Sequence, residues 1–281
     1  MQIDWKKIEF EYGLQNPPDF RTHLNYVSCM KALSKGIGLL CNSSIKNKIN
    51  ESKTLKKKIN LSKLTLNSIK GEYKTIQKNP DYAELCVSWI SVKSYYLLFN
   101  LLLILDYLIA AHESVFQSSH KESLKRFKDY IENNNISFSE KLFNNNFPCS
   151  KIMNLHPKSG ANIKIIDIDM EERVAQILKK LVRYKLEDIQ REEKIKNFRS
   201  KKNRKIRDDF LTKNTVNIFE FFYWYRIKAN YRDLEFLNKD ISSKQFEEFY
   251  RNYFELTLYF FEALKKIIND LSKIRLGKII L

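Results

Sequence analysis

The sequence predicts a mainly α protein, a helical bundle arranged around one long core helix, and three observations predict it. Six Gly and five Pro are few for 281 residues, which argues against a turn-rich β architecture. Hydrophobic residues make up 43% of the chain and aromatics 13%, ample material for a core. The third observation is periodicity. Leu85, Trp89, Val92, Tyr96, Phe99 and Leu103 recur at alternating steps of four and three, the stripe of an α-helix. Tyr95, Leu98, Leu102, Leu105 and Ile109 add a second stripe, and a helix apolar on two sides reads as the central one of a bundle. Asn79 is placed to cap it, with Pro80 at the first helical position. The apolar run from Leu97 to Ala111 contains Asn100 and Asp106 and falls short of the roughly 20 residues of a membrane span, so no membrane partner is expected.

Charge points to the class of partner. A net charge of +17 favours a polyanion such as RNA or DNA, against the plainer reading of a soluble protein whose composition follows AT-rich codons for Lys, Asn and Ile. Cys29, Cys41, Cys86 and Cys149 show no paired spacing, so neither a zinc site nor a disulfide framework is indicated. Met1 to Trp5 is followed by charged residues and not by an apolar leader, which predicts a reduced, cytoplasmic setting. No cofactor is expected.

In chain order, residues 1–78 form an ill-defined N-terminal region, polar and Lys-rich in its second half. Asn16 to Asp19 reads as a turn and Phe20 to Leu40 holds a short helix. Gly36-Ile37-Gly38 has no further Gly or Lys-Ser/Thr at phosphate-loop spacing. Asn42 to Asn79, with Lys53, Lys56, Lys57 and Lys58, reads as an exposed helix or mobile arm, its cations first a solvated face and second a nucleic-acid contact. After the core helix, Ser119 and Glu122 form a capping box, and Leu124, Phe127, Tyr130 and Ile131 give the next helix its apolar face. His120 is thus first a residue of an opening helical turn, and second a catalytic candidate.

Residues 133–164 carry two Asn triplets, Pro148, Pro157 and Gly160 and read as mobile loop or loop with a short hairpin, followed by a short strand at Ile163 to Ile168. The run Asp167-Ile168-Asp169-Met170-Glu171-Glu172 could hold Mg²⁺, but Asp169 as helix cap with two acids at the positive helix end explains it more simply. The helix beginning near Met170 carries Val174, Ile177, Leu178, Leu181 and Tyr184 on one face and then turns basic. Lys194, Lys196, Arg199, Lys201, Lys202, Arg204, Lys205 and Arg207 are the candidate nucleic-acid contacts, binding phosphates with little regard to sequence. Asn214 or Thr215 is placed to cap a helix with Ile218, Phe221, Phe222, Tyr225 and Ala229 inward. The last helix starts at Ser242 with Gln245 three residues on, and runs inward with Phe246, Phe249, Tyr250, Tyr253, Phe254, Phe260, Phe261, Leu264, Ile267 and Leu271.

Three passages together resemble the HEPN superfamily: Trp89 to Tyr96 with its Trp and paired Tyr, Ser119-His120-Lys121 with Phe127, and Arg226-Ile227-Lys228-Ala229-Asn230-Tyr231-Arg232-Asp233. The resemblance covers roughly residues 79–131 and 214–271. It implies an antiparallel HEPN-like bundle over 79–281, with a partly helical, basic insertion at about 134–213, and a homodimer. It also implies a metal-independent endoribonuclease of a prokaryotic defence or toxin–antitoxin system, acting on RNA and accompanied by a partner protein encoded nearby. Arg226, Asn230, Tyr231 and His120 become the candidate catalytic residues, with a cation near the phosphate and a base near the 2′-hydroxyl.

The superfamily's signature places a His four to six residues after the Arg; here those positions are Asn230, Tyr231 and Arg232. Two further readings therefore stand beside the ribonuclease. One is a catalytically silent HEPN-like module that binds nucleic acid or a partner protein. The other is a metal-dependent nuclease built on Asp167 and Asp169.

Overall fold

The computed structural model describes residues 20–42, 45, 47–139, 143, 146–154, 170–231 and 241–281, with the backbone alone at 20–23, 25, 170–176 and 228–231. In chain order the elements are α1 (Phe20–Ser34), β1 (Leu39–Cys41), α2 (Lys53–Lys78), α3 (Tyr82–Ala110), a 3-10 turn (Glu113–Gln117), α4 (His120–Glu132) and β2 (Ile136–Phe138). They continue as β3 (Phe147–Pro148), α5 (Cys149–Met153), α6 (Met170–Glu192), α7 (Lys201–Lys213), β4 (Thr215–Val216), α8 (Glu220–Tyr231) and α9 (Ser243–Leu276). The strands form two short antiparallel pairs, Leu39 opposite Phe138 and Phe147 opposite Val216. The protein is a mainly α multi-helix bundle with no closed sheet among the described residues.

The described residues divide into two compact units, one drawn from 20–139 with 225–281 and the other from 143–224. In the larger unit, α3 is flanked along its length by α2 and α9, with α1 on α9 and α4 on the later turns of α3. From Leu97 to Leu108 every α3 residue is buried, as the two apolar stripes predict. By length and composition α3 could cross a membrane, but 83% of its most apolar window is buried inside the bundle. Its two polar interruptions are both answered. Arg126 donates from Nε and Nη2 to Asp106 Oδ2 at 3.1 and 2.9 Å, and Lys58 Nζ donates to Asn100 Oδ1 at 3.1 Å. All ten inward residues expected on α9 are buried. Gln245 Oε1 accepts from the Ser242 backbone N–H at 3.1 Å, and Gly277 closes the helix at φ +74, a left-handed conformation that a side chain would strain.

In the smaller unit, α5 packs on α6 and α7. Ile177, Leu178 and Leu181 of α6 are buried, Tyr184 lies against Trp224 at 4.9 Å, and Lys185 pairs with Glu220.

Several expectations are corrected. The start of α3 lies at Tyr82, because the Asn79 N–H is spent on Thr75 O at 2.9 Å, closing α2, and Pro80 and Asp81 form the turn between antiparallel helices. The stripe Leu85–Trp89–Tyr96 is exposed, at 68, 55 and 39%: it is the face of α3 that neither α2 nor α9 covers. Segment 42–79 is more than a solvated arm. Ser52 Oγ accepts from Leu55 N at 3.0 Å to start α2, and Leu55, Ile59, Leu66, Ile69 and Ile76 bury one face of it.

Asn214 closes α7, donating to Phe210 O at 3.1 Å, and Thr215 pairs in β4, so α8 starts only at Glu220. Residues 133–164, read as loop, contain β2, β3 and α5 among their described positions. The turn at Asn16 to Asp19, the strand at Ile163 to Ile168 and the carboxylates Asp167 and Asp169 lie outside the described residues.

Candidate anion and nucleic-acid site

The site is assembled on one turn of α3, where Tyr95, Tyr96, Phe99 and Asn100 present two rings, a third ring and an amide. His120 is delivered by the start of α4. Ser119 Oγ accepts from Glu122 N at 3.2 Å while Glu122 Oε2 accepts from Ser119 N at 2.7 Å, so the expected capping box fixes the helix entry. Buried Leu124, Phe127 and Ile131 then seat α4 in the unit. As a result the imidazole lies 4.3 Å from the Phe99 ring, 5.3 Å from Tyr95 and 5.7 Å from Tyr96, with Nδ1 2.9 Å from Tyr95 Oη.

Arg226 comes from α8. Its guanidinium carbon is 5.1 Å from the Tyr95 ring centroid and 5.7 Å from that of Tyr96, a cation–π arrangement with both members of the tyrosine pair. Arg226 Nη1 also donates to Tyr96 Oη at 3.2 Å. The arginine itself is only 9% exposed, whereas Tyr96 is 39% exposed. Tyr96 is therefore an exposed group in contact with the buried arginine, its oxygen accepting from Arg226.

Lys58 from α2 completes the cluster; the sequence placed it in a lysine run read first as a solvated face and second as a nucleic-acid contact, and did not single it out. Its signal lay in the register of Lys58 beside Leu55 and Ile59, which puts one lysine of the run at the edge of the buried face while Lys56 and Lys57 point to solvent. Burial pushes the Lys58 ammonium below the usual lysine range. His120 is pushed down as well, first by burial and then by the charges of Arg226 and Lys58. Both effects favour the neutral imidazole. Nδ1 lies within hydrogen-bond reach of Tyr95 Oη, and in the tautomer that donates from Nδ1 the lone pair is on Nε2, as a general base requires.

Arg226 and His120, candidates 106 residues apart in sequence, are thus brought into one cluster. Asn230 and Tyr231 fall on the last turn of α8, with side chains outside the described set, and Arg232 and Asp233 lie beyond it.

In the other unit, the basic run occupies the connection after α6 and α7 itself. Lys194, Lys196, Arg199, Lys201, Lys202, Arg204 and Lys205 are exposed and Arg207 is half-buried, bonded to Asp208. Ser200 Oγ caps α7 by accepting from Asn203 N at 3.2 Å. Its first turn holds Lys201, Lys202 and Arg204 and no acid. Cations at the positive end of a helix dipole cost stability and concentrate positive potential, the field an anionic partner would relieve.

Compared with protein-family models, curated proteins and solved structures, the chain matches none.

Proposed function

We propose that the protein acts on RNA through the cluster of Arg226, His120, Lys58, Tyr95 and Tyr96, as a metal-independent endoribonuclease of the HEPN-like kind. The observation that carries the reading is the meeting, on one turn of α3, of an imidazole favoured in its neutral form, with Nδ1 hydrogen-bonded, and two cationic side chains. This supplies a base and positive charge without a metal. His120 Nε2 takes the proton of a 2′-hydroxyl, and the 2′-oxygen forms a bond to the adjacent phosphorus while the P–O5′ bond breaks. The 5′-oxygen takes a proton from the Lys58 ammonium, whose lowered pKa makes it a better acid. The products are a 2′,3′-cyclic phosphate and a 5′-hydroxyl. Tyr96 O–H, polarised by Arg226, faces the phosphoryl oxygens as charge develops. The cations of 194–207 add phosphate attraction that is blind to sequence.

A second reading is favoured by the near-complete burial of Arg226 and by the absence of a His after it at the signature spacing. In it the cluster binds RNA without cutting, in an adaptor or dimerisation module of a cytoplasmic defence or toxin–antitoxin system with a partner protein. Cleavage of end-labelled RNA in EDTA by wild type, His120→Gln and Arg226→Ala separates the two. Discrete cuts ending in cyclic phosphate, lost in both variants, support the enzyme. Inactivity of all three, with salt-sensitive binding retained, removes it and leaves the module.

A further inference from the structure

The uncovered face of α3 carries Tyr82, Leu85, Trp89 and Tyr96, exposed at 36, 68, 55 and 39%. Seven residues make nearly two turns, so Trp89 and Tyr96 point the same way within about 20° and are separated by about 10 Å along the axis. Two large, partly exposed rings are therefore presented in a row. Tyr96 belongs to the cluster described above; Trp89 does not, and no step assigned to that cluster uses it.

The Tyr96 end of this face is cationic. On the flank toward α2, Lys58 donates to the neutral Asn100, while Lys93 donates to Ser68 Oγ at 3.3 Å and is matched by Glu72. Arg226 borders this end at Tyr96. The face of α2 that holds Lys58 beside α3 also carries Leu61, 47% exposed. The core of a protein-docking surface is depleted in lysine, whereas aromatic rings between cations are how single-stranded nucleic acid is held, bases on rings and phosphates on charges.

We infer that Trp89 and Tyr96 form a stacking surface for consecutive bases of an unpaired RNA strand, whose phosphate backbone runs toward the Lys58–Arg226 end of α3. The inference rests on the RNA reading above and narrows it: the substrate class is single-stranded RNA, since bases paired in a duplex offer no free face to a ring. Trp89 is a binding and positioning residue outside the reacting cluster.

The test uses the full chain with a short fluorescein-labelled RNA of unstructured sequence and with its blunt duplex, read by anisotropy at fixed salt. Trp89→Ala should weaken single-strand binding about tenfold, the loss of one stacked base, while duplex binding changes little. Trp89→Phe should retain most of the affinity. In a Trp5→Phe background, emission from Trp89 should be quenched by the single strand, Trp224 being buried at 6% exposure. Unchanged affinity in Trp89→Ala, or equal loss for single strand and duplex, overturns the inference. So does a wild type that sediments as a dimer which Trp89→Ala dissolves, because the face would then belong to a second copy. If Trp89→Ala behaves as expected while Arg226→Ala leaves cleavage intact, the stacking surface stands and the proposed reacting cluster falls.

Discussion

Replacing Arg126 by Leu isolates the electrostatics of the core. Asp106 lies mid-way along the apolar half of α3, its side chain 3% exposed, and Arg126 is its cationic partner through two bonds to Oδ2. Burial pushes the Asp106 carboxyl up from its usual range, opposed by the charge and hydrogen bonds of Arg126 and by a bond from Tyr130. Removing one member of a buried pair costs ~3–5 kcal/mol. With Arg126 31% exposed, and the Tyr130 bond surviving, the loss should sit at the lower end, about 3 kcal/mol. The sign of the pH dependence follows from the raised pKa. The folded state holds the Asp106 proton more tightly than the unfolded chain, so this contribution is fully present below the unfolded pKa and is lost as pH rises through the folded one. Arg126→Leu raises the folded pKa further, so its deficit should be largest near pH 7 and shrink near pH 5. Urea unfolding followed by circular dichroism at the two pH values measures it. The double variant Asp106→Leu/Arg126→Leu should recover most of the loss, since no charge is then stranded. A deficit independent of pH, or a double variant no better than the single, would refute the argument.

Three further outcomes are expected. The His120 ring should titrate below the ordinary histidine range by NMR, and Arg226→Ala should move it upward by removing a repelling charge; no upward movement would separate the two residues. Thr257→Val should cost about 1–2 kcal/mol in urea, because Thr257 Oγ1 lies 2.8 Å from the hydroxyl of Ser94, which is fully buried and would lose its partner. Replacing Lys201, Lys202, Arg204 and Lys205 by Gln should flatten the slope of log affinity against log salt for single-stranded RNA by roughly 0.7 for each phosphate no longer neutralised, leaving any cleavage chemistry in place; an unchanged slope would exclude α7 from the interface.

The sequence was most legible where one periodicity met one cap. The inward residues of α9, the capping box at Ser119 and the onset of α6 at Met170 were all readable, because helical spacing and side-chain capping are local. Faces were less so. Spacing shows that Leu85, Trp89 and Tyr96 share a side of α3, but whether a neighbour covers that side depends on how many helices surround it. The same limit hid the buried face of α2, whose lysines dominate its composition while five aliphatic side chains pack inward. At Asn214 a good capping residue served the helix before it, since caps and closures draw on the same residue types. For the candidate site, Arg226 and His120 were visible as residues; their juxtaposition depended on how α4 and α8 meet α3, which no local pattern records.

The two polar residues that interrupt the core of α3 show how one device yields two results. Asp106 and Asn100 are six residues apart on α3, both buried, and each takes a hydrogen bond from a cation on a neighbouring helix. Asp106 is an anion, so it cancels the charge of Arg126, and the pair presents little net field. Asn100 is neutral, so it fixes the direction of the Lys58 ammonium without cancelling its charge. That field persists where it lowers the His120 pKa, one turn from Tyr96. Exchanging Asn100 for Asp would preserve the bond and the shape while quenching the field. On this reasoning Asn100→Asp should keep the fold, raise the His120 pKa and weaken RNA binding. A variant that bound RNA as tightly as wild type would show that Lys58 holds the helices together and nothing more.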